Sequence, residues 1–216
     1  VPEAIVVDDG LVRKAPPRMN RAGVGDLLCS HTALVDWALA RDAGLDVDWD
    51  DRLADVTRAM LARVAAVAPA VGRDEPDAWI ALLEIGEPLA PWFLARPRAR
   101  FNSASEHLLA WCLEERTGRR LLHGEIVALG TLLMAHLQGH DPEGVARVVA
   151  DARVSVQPEA IGTTWDEVTA AVLALPAYAR EVVPWYTIVT RIAETEGASG
   201  LAARVDRARR FVEALR

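Results

Sequence analysis

The chain has 216 residues, a hydrophobic fraction of 51% and a net charge of −7 from 24 basic and 31 acidic side chains. That is enough apolar material for one large domain or two small ones, and the acidic balance argues against nucleic acid, whose phosphates need a basic surface. Two cysteines, Cys29 and Cys112, are too few for a disulfide framework and point to a cytoplasmic protein. No apolar run approaches the ~20 residues of a membrane span, and no secretory signal precedes the fold.

Residues 4–7, Ala-Ile-Val-Val, are β-branched and precede Asp-Asp-Gly, so they predict one short strand, the only good strand candidate. Residues 11–18 predict a short helix or turn broken by Pro16 and Pro17. Gly23 and Gly25 permit a tight approach to a helix expected over 25–41. That register puts Asp26 in its first turn, where the dipole favours a carboxylate. An acidic loop follows, then an Ala/Val/Leu helix over 52–71 and another over 77–94, interrupted near Gly86, Pro88 and Pro91.

The centre of the chain reads as two helices joined by a charged turn. Ser103 is the expected N-cap of the first, with Glu106 completing a capping box. Leu108, Leu109, Cys112 and Leu113 form its apolar stripe, and Thr117-Gly118 stops it. His107 sits beside the stripe. The second helix starts near Gly124, with His123 at its mouth. The two histidines meet only if residues 115–122 fold back along the first helix. Further helices are expected over 143–152, from Thr164 (capping box with Glu167) to 175, from Pro184 to 194, and over 199–216. The reading is a single helical domain, residues 1–216, with residues 1–20 as an interdomain remnant.

Three stretches carry chemistry: AGVGDLLCSHTALVDWALA, SASEHLLAWCLEE and LLHGEIVALGTLLMAHL. Together they resemble successive motifs of the sn-glycerol-1-phosphate dehydrogenases, within the superfamily of iron-containing alcohol dehydrogenases and dehydroquinate synthases. The late segment VPWYTIVTRI is also similar. The resemblance implies an all-α, dehydroquinate synthase-like helical domain. It also implies that Asp26, His107 and His123 bind one divalent ion, Zn²⁺ or Fe²⁺. Two neutral imidazoles and a carboxylate are a usual donor set for such an ion with an open position. Read without the resemblance, Asp26 is a helix-terminal acid, His107 a satisfied core histidine and His123 a helix cap.

The chain departs from that family at several points. No strand, Gly-rich turn and helix with a following acid supplies a dinucleotide site, so no NAD(P) is expected. The chain reads as the metal-binding half standing alone, with two explanations open: natural loss of the nucleotide domain, the favoured expectation, or a sequence cut from a longer chain. Trp111 stands one turn after His107 where the family commonly has a second histidine. His31, Arg100, Asn102 and Trp111 are the candidate catalytic or substrate-facing residues, Arg100 and Asn102 for an anionic or polar substrate.

The expected function is therefore a nucleotide-independent metalloenzyme. It would perform elimination, isomerisation or hydrolysis on a small hydroxylated or carbonyl metabolite, a lyase rather than a dehydrogenase. The alternatives are a non-catalytic subunit that completes a site with a nucleotide-binding partner, and an Fe²⁺ enzyme that activates oxygen. A homodimer is expected whose interface lies close to the metal and helps wall the pocket, with Leu201, Val205, Phe211 and Leu215 offering an apolar stripe.

Overall fold

The computed structural model describes residues 6–45, 48–96 and 98–215. Its helices are α1 (Asp9–Lys14), α2 (Pro17–Leu28), α3 (Ser30–Asp42), α4 (Asp51–Gly72), α5 (Pro76–Gly86), α6 (Ala90–Ala95), α7 (Ser105–Thr117), α8 (His123–Gln138), α9 (Pro142–Asp151), α10 (Pro158–Ile161), α11 (Trp165–Glu181) and α12 (Ile188–Glu213), with a 3₁₀ turn, Glu87–Leu89, between α5 and α6. Among the described residues there is no strand. Ala4 and Ile5 of the expected strand lie outside them, and Val6 and Val7 have no regular structure.

The fold is organised around α8. Thirteen of its 16 residues are buried, so it is a core helix apolar on all sides rather than an amphipathic one. Helices α2, α3, α7, α9 and α12 pack against it. Outside this ring, α11 covers α7 and α12, while α4 packs on α2, α3, α5 and α9. Trp37, Leu53, Phe101, Leu109, Leu129 and Leu132 are among the fully buried side chains of the continuous core.

Several expected boundaries move. The helix expected over 25–41 is two helices, divided at Cys29. Asp26 thus lies in the last turn of α2, where the helix dipole opposes a carboxylate instead of favouring it. The helix expected from Pro184 begins at Ile188 and runs on to Glu213 across a break at Gly197. The capping box of Thr164 and Glu167 forms as read, but α11 continues past Pro176 to Glu181. Leu201 and Val205 are buried against their own chain, so the last helix does not offer the apolar stripe expected of it. By length and composition alone, Pro76–Ala95 is long and apolar enough to cross a membrane, contrary to the sequence reading. It is broken by the 3₁₀ turn, and Trp79, Leu82, Ile85 and Leu89 face the core.

Candidate metal centre

Three local devices bring Asp26, His107 and His123 together. The first folds the α7–α8 connection back. Gly118 ends α7 in the left-handed region, and Glu114 then holds the returning loop. Its Oε1 accepts from the Leu121 backbone N–H at 3.0 Å, and its Oε2 pairs with Arg120 at 2.9 Å. His123 therefore arrives beside His107, with ring centroids 5.2 Å apart.

The second device is glycine contact between α2 and α8. A Cβ on Gly25 would lie 2.0 Å from the Gly124 carbonyl oxygen, and one on Gly124 would lie 1.9 Å from that of Ala22. Only hydrogen fits at either position, and these glycines immediately precede Asp26 and follow His123. The third device is a forked ion pair. Arg18 at the start of α2 grips the buried Glu125 of α8 at 2.7 and 2.6 Å, the bidentate geometry that makes such pairs strong.

The result is compact. Asp26 Oδ1 lies 3.5 Å from His107 Nε2 and 3.4 Å from His123 Nε2. The edge of a tetrahedron with bonds of ~2.1 Å, typical of zinc on nitrogen and oxygen, is about 3.4 Å. The donor types and spacing thus fit one divalent ion. His107 is buried, while Asp26 and His123 are each about half exposed, which leaves one side open to a ligand.

The electrostatics agree. Burial disfavours the Asp26 carboxylate, but hydrogen bonds to His107 and His123 outweigh it and hold this acid well below the usual carboxylate range. Burial also opposes charge on His107. The neighbouring carboxylates of Asp26 and Glu106 nevertheless raise its pKa well above the ordinary value. A cation is thus favoured at this point.

The other candidate residues scatter. Trp111 lies against His107, its ring 5.7 Å from the imidazole, and Trp185 packs on Trp111 with ring centroids 6.0 Å apart. Arg100 does not face a substrate. It is 1% exposed, stacks on Trp185 at 5.1 Å and donates to the backbone oxygens of Tyr186 and Asp36. Its long stem and delocalised charge suit a stacked core position. The Asn102 side chain accepts from the buried Ser30 hydroxyl at 2.9 Å, and its carbonyl takes the Cys29 thiol; both hold the start of α3. His31 faces away. Its Nε2 meets the His140 carbonyl oxygen at 2.9 Å, beyond the C-terminal end of α8, whereas His123 opens the other end of this ~24 Å helix.

Sequence reasoning missed Trp185, Glu114 and Asp36. Asp36 caps α7 from a distance, accepting from the Ser105 backbone N–H at 3.2 Å and from the Ser105 hydroxyl. Ser103 is not the cap. The Ala104 N–H instead donates to Glu106 Oε1 at 2.6 Å. The spacing of Ser103 and Glu106 suggested a local cap, and nothing local pointed to Asp36.

Several known proteins are similar to this chain in sequence. No protein-family model matches the chain. It is 32% identical to the NAD(P)-dependent glycerol-1-phosphate dehydrogenase of Hyperthermus butylicus, over 94% of this chain and 57% of that protein. It is also 32% identical to the Halobacterium salinarum enzyme of the same name, over 92% and 57%. With the Methanothrix thermoacetophila enzyme it shares 35% identity over 65% of this chain and 39% of the relative.

The chain belongs to the glycerol-1-phosphate dehydrogenase family. Its helices form the family's dehydroquinate synthase-like all-α domain, and it spans about half the length of the relatives it matches. Those relatives are named as NAD(P)-linked oxidoreductases. That overturns the expectation of a nucleotide-independent lyase, isomerase or hydrolase, and a non-catalytic subunit or an oxygen-activating iron enzyme fits no better. The absence of a dinucleotide motif does not exclude hydride transfer, because a hydride acceptor need not be held by the half that holds the metal.

Proposed function

We propose that this chain is the metal-binding half of an NAD(P)-linked oxidoreductase acting on a glycerol phosphate, with Asp26, His107 and His123 holding one divalent ion, zinc by preference. The convergence of one carboxylate oxygen and two imidazole Nε2 atoms at 3.4–3.5 Å carries this reading. When bound, such an ion supplies Lewis-acid polarisation of a substrate hydroxyl or carbonyl oxygen. The chain's own residues do the rest. His107 and His123 present neutral nitrogens, and Asp26 contributes a single negative charge. The half-exposed side of the triad admits the substrate, and the Trp111 indole covers His107 beside it. Oxidation of the secondary alcohol to a ketone passes a hydride from the carbon to the acceptor and releases the hydroxyl proton to water at the open side of the triad. The hydride acceptor would be NAD(P)⁺, held by the part of the relatives that this chain does not span.

Phosphorus NMR of sn-glycerol 1-phosphate tests this with the Co²⁺-loaded chain. Paramagnetic broadening of the phosphate signal is expected, and its absence in a His107→Ala, His123→Ala variant. Equal broadening in both proteins would place the substrate elsewhere.

A further inference from the structure

His107 has two ring nitrogens, and only Nε2 faces Asp26. Nδ1 lies 3.1 Å from Glu106 Oε1. Glu106 is fully buried and cannot swing to solvent. Its Oε1 also accepts from the Ala104 N–H at 2.6 Å, and its Oε2 accepts from the Thr32 hydroxyl at 2.9 Å. Thr32 is itself buried on α3, and its hydroxyl also reaches the Cys29 carbonyl oxygen at 3.1 Å. The carboxylate is therefore anchored to the start of α7 and to α3, and its remaining contact is His107.

A purely structural cap would not need this charge. A glutamine could accept from Ala104 with its oxygen and donate to the Thr32 hydroxyl with its amide. A buried carboxylate instead costs several kcal/mol unless its charge is used. The nearest group able to use it is the His107 imidazole. Cys29, Glu106 and His107 also lie close enough to suggest a second ion site. Burial pushes the Cys29 thiol up to about 12, however, and its sulfur already contacts the Asp26 and Asn102 carbonyl oxygens.

We infer that Glu106 is a positioning residue for the metal centre. It holds the His107 proton on Nδ1, turns Nε2 as an electron-pair donor toward Asp26 and His123, and through its charge strengthens the grip on a divalent ion. This rests on the metal reading proposed above. Ligating histidines commonly need such an outer partner, whose loss lowers metal affinity about 10- to 100-fold.

The test is Glu106→Gln in the full chain, with Zn²⁺ affinity read by competition with a chromophoric chelator. Glutamine can keep every hydrogen bond and remove only the charge. Affinity is expected to fall about 10- to 100-fold, while the metal-free variant melts within a few degrees of the wild type. Affinity within twofold of wild type would reduce Glu106 to a helix cap and overturn the inference while leaving the metal reading intact. A wild-type chain that binds no zinc would overturn both. If the variant does not fold, long-range ¹H–¹⁵N NMR of the zinc-loaded wild type decides. A proton on His107 Nδ1 supports the inference, and a proton on Nε2 overturns it.

Discussion

Two aspartates one helix apart show how a polar cluster is closed or left open. Asp36, on α3, is fully buried. One oxygen accepts from the Ser105 N–H and hydroxyl, and the other accepts from Gln138 Nε2 at 3.1 Å and from the Ile188 N–H at 2.8 Å. It caps α7 and α12 together, with two backbone and two side-chain donors around it. Asp26, at the end of α2, is half exposed and faces two imidazole nitrogens. Neutral Nε2 atoms are acceptors or metal ligands rather than obligatory donors. Asp36 is satisfied by the fold itself. Around Asp26, lone pairs converge, and the arrangement is completed only by a cation.

The largest effect that would sharpen this contrast is at Asp36. Asp36→Ala leaves buried donors of α7, α8 and α12 without an acceptor and is expected to cost about 3–5 kcal/mol in urea unfolding. A cost below about 1 kcal/mol would show that the contrast is misdrawn.

Next is the pH dependence. Burial pushes Asp36 up to about 6, against the pull of the Ser105 and Ile188 hydrogen bonds. A folded pKa above the unfolded value means stability that is present below pH ~4 and lost as pH rises through ~6. The change is on the order of 3 kcal/mol. The stability of the wild type relative to Asp36→Asn, measured metal-free by urea unfolding, should fall by that order between pH 4 and pH 7. Asp26 has the opposite sign. Its lowered pKa gives stability present above pH ~4 and lost on further acidification.

Smaller again is Gly124→Ala. The new Cβ would meet the Ala22 carbonyl oxygen, so α2 and α8 must part, at about 1–3 kcal/mol. Because Asp26 and His123 separate with them, zinc affinity should drop as well, readable by chelator competition. The smallest effect on stability is expected from Asp26→Asn, within about 1 kcal/mol in the metal-free chain by thermal melting. That variant should lose most of its zinc affinity. A large loss of fold with zinc binding unchanged would reverse the roles of the two aspartates.

What could be read from the sequence divides along the same line. Local signals survived in the αL glycine after Thr117 and the Thr164–Glu167 capping box, and the fold brings Asp26, His107 and His123 side by side. Features that depend on distant partners were not legible. Asp36 reaches α7 and α12 across 69 and 152 positions, so the local candidate Ser103 was chosen in its place. The division at Cys29 reversed the dipole argument at Asp26, because an unbroken apolar period continues through it. The fold-back of residues 115–122 depended on Glu114, which reads from sequence as one more charge on a solvated turn. Arg100 looked like a substrate cation because a basic loop carries it, and only its stacking on Trp185 shows why it is buried.

The central claim is that Asp26, His107 and His123 together hold one divalent ion. Zinc content after equilibrium dialysis, measured by plasma mass spectrometry, tests it most directly in the wild type and in a His107→Ala, His123→Ala variant of matched helical circular dichroism. About one ion per chain is expected in the wild type and none in the variant. Equal zinc in both proteins, or none in the wild type, would contradict the claim.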